Sequence, residues 1–174
     1  QSDASDKNAG VDVNLTLTPW KDLTLAYIAG LDYLQDDSHS FTPASSYNEQ
    51  NTGVPINARG IYSRTKGTTV NLSSNVRTTY NHVFADVHDV TLGANFDYYL
   101  YDYDAVGITG YGVGNVDAPS AINNSLHGLR QPSVRNPRDK NAQIGMGVVA
   151  GYTYNTVYDA YFTYKADASS ILPS

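Results

Sequence analysis

The stretch VTLGANFDYYLY, residues 90–101, decides the fold class of this chain. Its apolar side chains, such as Leu92 and Phe96, alternate with polar ones such as Asn95 and Asp97. Successive side chains of a β-strand point to opposite faces, so a period of two predicts a strand with one apolar and one polar flank. A helix would instead repeat its apolar positions every 3.6 residues.

The same alternation recurs in about six stretches, so we expect an antiparallel all-β fold. The predicted strands begin near residues 11, 23, 68, 90, 144 and 157. Short turns at residues 19–22, 85–89 and 155–156 alternate with long polar loops at about 32–67 and 103–142. Residues 1–10 are polar and precede the first predicted strand.

Composition excludes several classes of protein. The chain has no cysteine, so disulfides and thiolate metal sites are impossible, and its formal charge of −6 argues against a nucleic-acid partner. No apolar run approaches the roughly 20 residues of a membrane helix. The alternating strands of a membrane β-barrel, however, have an apolar face without a long apolar run. The chain has 15 tyrosines, many of them near strand ends, which suits the aromatic girdles of an outer-membrane β-barrel.

The number of strands predicts that this is one part of a larger barrel. About eight strands make the smallest transmembrane barrel, and six would leave two edges unpaired in lipid. We therefore expect residues 1–174 to form one partial barrel domain in the bacterial outer membrane, with both ends cut. Short turns would face the periplasm and the two long loops the outside.

The polar flanks of these strands would line a watered interior. Glycines in one of them, Gly145, Gly147 and Gly151, predict a bend or the close approach of another backbone, such as a plug. The residues predicted to face the lumen are Asn71, Asn75, Arg77, Asn95, Asp97, Asp159 and Lys165.

Three segments carry a resemblance to a known family: VNLTLTPWKDLTLAY at 13–27, HDVTLGANFDYYLYDYDA at 88–105 and VVAGYTYNTVYDAYFTYKADASS at 148–170. They resemble the middle of the barrel in SusC/RagA-type TonB-dependent transporters, the outer-membrane nutrient importers of Bacteroidetes. The resemblance implies a barrel of about 22 strands with an internal plug. It also implies a SusD-like lipoprotein lid and TonB-driven uptake of oligosaccharides or peptides.

The family's energy-coupling box, plug domain and barrel-closing strand have no counterpart in this sequence. The resemblance therefore implies that the chain acts together with the remainder of the barrel and the plug. Its expected role is that of wall and loop scaffold among outer-membrane lipids.

Positive charge is concentrated in the two predicted loops, which hold 7 of the chain's 11 Lys and Arg residues. One hypothesis is contact with an anionic substrate or with an acidic lid protein. The alternative is that these side chains tie the loops together and face lipopolysaccharide or solvent. The candidate contact residues are Arg59, Arg64, Arg130, Arg135 and Arg138.

Tyrosine and aspartate interleave where the fourth strand enters its loop. Tyr99, Tyr101 and Tyr103 could stack on sugars, while Asp97, Asp102 and Asp104 accept hydroxyl hydrogens. Their spacing lacks the glycine and terminal glutamate of a calcium loop. The plainer alternative is a strand leaving the membrane.

Catalysis is not expected, and neither is a cofactor. The four histidines are scattered without ligand spacing, and no nucleophile elbow is present. A different class of function remains open, a secreted or surface-exposed β-sandwich that binds glycans. A third possibility is an intact eight-stranded barrel, although residues 56–62 and 113–129 show no convincing alternation.

Overall fold

The structure is a computed structural model, and it describes residues 2–113 and 129–172. Almost all of these residues lie in strands, with a single turn of α-helix, α1, at Tyr47–Gln50 and a 3-10 turn at Ile56–Ala58. The strands are β1 Ser2–Trp20, β2 Leu23–Thr42, β3 Ile61–Phe84, β4 His88–Tyr111, β5 Ser133–Arg135, β6 Arg138–Tyr154 and β7 Tyr158–Leu172.

All seven strands belong to one antiparallel sheet, which confirms the predicted all-β class. The order across the sheet is β1-β2-β3-β4-β6-β7, so each long strand pairs with the next long strand along the chain. Short β5 pairs with the far end of β4, through Gly107 to Thr109. No pairing among the described residues joins β7 back to β1, so the sheet is open at both edges.

The strands extend well beyond the predicted boundaries. The polar residues at the start of the chain are part of β1, because Ser2 to Gly10 pair with β2. The loop predicted at 32–67 is confined to residues 43–60, since β2 runs to Thr42 and β3 starts at Ile61. The second loop is shortened in the same way by the ends of β4 and β6.

The reason for this error is physical. Alternation marks a strand only where one face meets an apolar medium, whereas the ladder of backbone hydrogen bonds does not depend on side chains. β3 and β4 have 24 residues each. A membrane strand needs only about 9–11, so much of each strand can lie outside the membrane, where no alternation is required.

Short turns join the strands at one end of the sheet. Two of them place successive residues in the left-handed region, with φ of 49° and 59° at Ala85 and Asp86 and of 47° and 58° at Asn155 and Thr156. Such turns match the twist of a hairpin, and Asn and Asp tolerate them better than other residues with a Cβ. The predicted turn at 155–156 is confirmed.

The register places the apolar side chains of all six long strands on one face, here called the apolar face. One row across it joins Leu17, Leu25, Thr78, Ala94 and Val148. Its large side chains stay exposed on the open sheet, for example Leu17 at 61%, Phe96 at 42% and Met146 at 51%. No second layer of described residues covers this face.

The buried core is small and lies away from the middle of the sheet. Phe41, Tyr62 and Val113 form its one cluster in the described parts of the chain, at the long-loop end. Ala44 and Ala58 of the first loop are buried as well. The core therefore stabilises the loop end, and the broad apolar face is left for other partners.

Candidate functional site: the polar face and the long-loop end

The second face of the sheet, here called the polar face, gathers the side chains predicted to line the lumen. One row joins Asn75, Asp97, Gly145 and Asp167 across four strands. The neighbouring row joins Arg77, Asn95, Gly147 and Lys165. Asn71 and Asp159 share this face. Their cross-strand partners, Tyr101 and Thr153, are separated by an even number of residues from Asp97 and Gly145 on the same strands.

Hydrogen bonds fix the centre of the polar face. Asp97 accepts from the side-chain amide of Asn75 and, at 2.7 Å, from Nδ2 of Asn95. The Tyr99 hydroxyl donates to Oδ1 of Asn71 at 3.3 Å. These polar groups satisfy one another along the strands, which orders the surface that any molecule on this side would meet.

The glycines of β6 have a local explanation. A Cβ added to Gly145 would lie 2.8 Å from Oδ1 of Asp167 and 3.6 Å from the side chain of Asp97. The missing side chain therefore leaves room for carboxylates of the two neighbouring strands. The result is an open depression of about 710 Å³ whose lining includes Tyr99 and Lys165.

Tyrosine and aspartate of β4 do not form a single wall. Tyr99, Tyr101 and Tyr103 lie on the polar face, whereas Asp102 and Asp104 lie on the opposite one. The two sets therefore do not share one surface, because neighbours along a strand alternate in direction, and sugar binding by either set stays a prediction. Three tyrosines on the same side as Asp97 remain as a polar-face group.

Two of the loop arginines have structural partners. Arg59 Nε donates to the Val54 carbonyl oxygen at 2.7 Å, within its own loop. Arg130 Nη1 donates to Glu49 Oε2 at 2.8 Å, and its guanidinium lies 4.0 Å from the centre of the Tyr111 ring. Arg130 therefore ties the second loop to the first.

Glu49 completes this connection and was not singled out from the sequence. Its carboxylate also accepts from the Gly60 backbone N–H at 2.9 Å, and only 4% of its side chain is exposed. Ser46 caps the single turn of α1 through the Glu49 N–H. The one signal available in the sequence is that Glu49 is the only glutamate of the chain.

The remaining cations lie on strands rather than in loops. Arg135 of β5 shares the polar face, opposite Gly107. Arg138 of β6 lies opposite Asp104, on the side of the apolar face. The side chain of neither arginine has a hydrogen bond or ion pair with another residue in the described parts of the chain.

Arg64 binds Asp37 through two nitrogens, Nε to Oδ1 at 2.9 Å and Nη2 to Oδ2 at 2.5 Å. Lys66 Nζ lies 3.4 Å from the same carboxylate. The hydrogen bonds from Arg64 lower the pKa of Asp37 from 3.8 to about 2. On their strands these residues lie between the apolar face and the buried cluster of Phe41 and Tyr62, and the side chains of Arg64 and Asp37 are 39% and 26% exposed.

We expect Arg64→Gln to raise the pKa of Asp37 from about 2 towards 3.8, which NMR titration of the labelled Asp37 carboxyl would measure. The folded-state pKa is depressed, so the pair stabilises the fold above about pH 3.8 and loses that contribution as the pH falls towards 2. Arg138→Gln is the matched control and should leave the pKa at about 2. An unchanged Asp37 pKa in Arg64→Gln would contradict the assignment.

Two histidines have partners at the short-turn end of the sheet. His82 Nδ1 lies 2.8 Å from Asp22 Oδ2, and His88 Nδ1 lies 2.7 Å from the Tyr152 hydroxyl. These pairs need the strand register and could not be read from sequence spacing. Within residues 2–113 and 129–172, no group of three or more His, Cys, Asp or Glu residues could hold a metal ion.

Among the described residues, no helix has the length and apolar character needed to cross a membrane.

Three solved structures resemble this chain over 97% of its length. They are the RagAB peptide transporter, with a TM-score of 0.73 and 21% identity, and the RagAB peptide importer in two further states. The "open-open" state gives a TM-score of 0.75 at 21% identity, and the "closed-closed" state gives 0.69 at 22%. No family model matches the sequence, and no curated protein does.

The chain spans 18% of the length of each of these solved chains. It therefore has the fold of a segment of a larger transporter of the RagA type, which confirms the predicted fold class and the structural resemblance. At this level of identity the likeness establishes architecture, and function is argued below.

Proposed function

We propose that this chain is a wall and loop segment of a TonB-dependent outer-membrane nutrient importer. The observation that carries the proposal is the division of one sheet into two faces. Six long strands present a continuous exposed apolar surface on one side and paired amides, carboxylates and tyrosines on the other. A barrel wall between lipid and water needs this arrangement.

The remaining strands and the plug would complete the barrel. Both edges of the described sheet, β1 and β7, carry unpaired backbone groups, and such edges are not tolerated in lipid. A SusD-like lipoprotein would cover the long-loop end, and TonB would supply the energy, as the family resemblance implies. The chain contributes structure and substrate-contacting surface rather than catalysis.

The alternative of a glycan-binding sandwich would need a second sheet over the apolar face. The described residues form one sheet, and side chains such as Leu15 and Phe162 are 54% and 61% exposed on it. We therefore favour the barrel wall. The neighbours' printed description as peptide importers makes peptides the first substrates to test, with oligosaccharides beside them.

The test is uptake of labelled peptides and oligosaccharides by cells that carry the full-length protein. We expect uptake to need the proton gradient, and Tyr99→Ala to lower it severalfold, since Tyr99 lines the polar-face depression. Phe96→Ala is the matched control, because Phe96 lies on the apolar face of the same strand and does not line the depression. Both rates are normalised to folded protein in the membrane.

Uptake that is independent of the proton gradient would overturn the importer assignment. Equal losses in the Tyr99 and Phe96 variants would overturn the assignment of the polar face to the substrate path.

A further inference from the structure

Charge is divided unevenly between the two faces of the sheet. Among the described strand residues, the polar face carries nine carboxylates and three cations, whereas the apolar face carries four carboxylates and five cations. The formal charge of the whole chain is −6, so the polar face holds the acidic excess of the protein. The carboxylates of the polar face belong to Asp6, Asp12, Asp32, Asp36, Asp89, Asp97, Asp139, Asp159 and Asp167.

Most of these carboxylates lie towards the long-loop end of the polar face. They begin just beyond the row that contains Arg77 and Lys165, and the next cation on this face is Arg135, beyond Ala105. Between these two limits no Lys or Arg of the described strands lies on the polar face. We call this part of the polar face the acidic wall, and its carboxylates are those of Asp6, Asp12, Asp32, Asp36, Asp97, Asp139 and Asp167.

The acidic wall has the dimensions of an extended partner rather than of a single ion. Along β4 it runs from Asp97 to Ala105, which is roughly 27 Å of strand. Across the sheet its carboxylates lie on five strands, β1, β2, β4, β6 and β7. A partner that meets them must therefore reach across several strands.

Most carboxylates of the acidic wall have no cation of their own. Asp167 has one, because Lys165 Nζ lies 3.2 Å from its Oδ2, and Asp97 accepts from two asparagine side chains. The others have no ion pair with any residue in the described parts of the chain, and they are Asp6, Asp12, Asp32, Asp36 and Asp139. Their negative charge is left for a molecule on this side of the sheet.

Glycines keep the surface of the acidic wall shallow. A Cβ on Gly10 would lie 2.6 Å from Oδ1 of Asp32, and a Cβ on Gly30 would lie 2.7 Å from Oδ1 of Asp12. These carboxylates therefore lie over the backbone of the adjacent strand, in space that a larger residue would fill. The surface stays open to a chain that runs across it.

Three tyrosines of β4 form a ridge within the acidic wall, at positions 99, 101 and 103. Asp139 of β6 lies directly opposite Tyr103 on one side of the ridge, and Asp32 of β2 lies two strands away on the other side. An ammonium or guanidinium group is attracted to the face of a tyrosine ring. Over this ridge it would also meet a carboxylate on either side, whereas an anionic group would be repelled.

We propose that the acidic wall is a docking surface for extended peptides with a net positive charge. Lysine and arginine side chains of the peptide lie over the tyrosine ridge and pair with Asp32 and Asp139. Electrostatic complementarity favours cationic over anionic partners and speeds their capture. A neutral oligosaccharide would leave the carboxylates without partners. The inference rests on the proposed function, whose substrate class it narrows.

The test is binding of labelled peptides to the purified full-length protein in neutral detergent, followed by fluorescence anisotropy. The probes have equal length and share a sequence of Gly, Ala and Ser, with Lys, Gln or Glu at the variable positions. We expect the Lys peptide to bind at least about tenfold more tightly than the Glu peptide, with the Gln peptide between them. Added salt should reduce this difference, because it screens exposed charges.

Asp32→Asn/Asp139→Asn should weaken binding of the Lys peptide by about fourfold or more and leave binding of the Gln peptide within about twofold. Asp3→Asn/Asp104→Asn is the matched control, because it removes the same charge from exposed positions on the opposite side of β1 and β4. This control should bind the Lys peptide as the unmodified protein does.

Several results would overturn the proposal. One is equal binding of the Lys and Glu peptides, or binding of neither, by the unmodified protein. Another is equal weakening by the two double variants, since net charge alone would then explain the preference. A loss of Gln-peptide binding as large as the loss of Lys-peptide binding in Asp32→Asn/Asp139→Asn would mean that the acidic wall holds another part of the protein, such as a plug.

Failure of the proposed function gives a different result. Uptake that does not need the proton gradient refutes the importer itself. A protein that imports peptides with that gradient, yet binds the Lys and Glu peptides equally, refutes only the preference for positive charge.

Discussion

Val148→Arg is expected to destabilise the folded protein in phospholipid vesicles by about 2–4 kcal/mol. Val148 lies in the middle of the apolar face, in the row with Ala94 and Tyr164, and is 45% exposed on the open sheet. An arginine there would place a guanidinium in hydrocarbon, far from either surface. The measurement is the shift in urea midpoint of the full-length protein.

The matched control is the next residue of the same strand. Val149 has the same side chain but lies on the polar face, opposite Gly93 and Thr163. Val149→Arg should change the unfolding free energy by no more than about 0.5 kcal/mol, as a substitution facing water does. Equal effects of the two substitutions would show that the two faces meet the same medium.

Arg130→Gln should open the connection between the two long loops while leaving the strands paired. The substitution leaves the Glu49 carboxylate buried without its cation, which costs about 3 kcal/mol. The loss is local, because Glu49 and Arg130 lie outside the ladder of long strands. Hydrogen exchange of the Gly60 amide, which donates to Glu49, should therefore accelerate by roughly 100-fold.

Two variants make this prediction specific. Glu49→Gln/Arg130→Gln removes both charges and should recover part of the protection, since no unpaired carboxylate remains buried. Arg135→Gln removes a cation with no ion pair among the described residues and should leave Gly60 exchange unchanged. Unaltered exchange in Arg130→Gln would mean that the Glu49–Arg130 pair does not hold the loops.

Sequence patterns predicted the parts of this fold in which one face of a strand meets an apolar medium and the other face meets water. Leu92, Phe96 and Val148 recur with a period of two because they share a face, and that period located all six long strands. The sequence did not show that β2 continues to Thr42 or that β3 starts at Ile61, because water on both faces removes the alternation.

The candidate site divides in the same way. The alternation of the sequence alone predicted that Asn75, Asp97 and the other residues assigned to the lumen share one face. The strand register places them on one face. Contacts between distant strands or loops could not be predicted, because they depend on register and loop closure. The Glu49–Arg130 pair joins residues 81 positions apart, and the His82–Asp22 pair joins residues 60 apart.

The central claim is that the apolar face of this sheet meets lipid while the polar face meets water. Spin labels on single cysteines along β4, in a cysteine-free background of the full-length protein, test it most directly. We predict that labels at positions 92, 96 and 100 collide with oxygen dissolved in lipid, and that labels at 93, 95 and 97 collide with a water-soluble nickel reagent. Labels at 92, 96 and 100 that are shielded from both reagents would show that a second protein layer covers the apolar face, and would contradict the account.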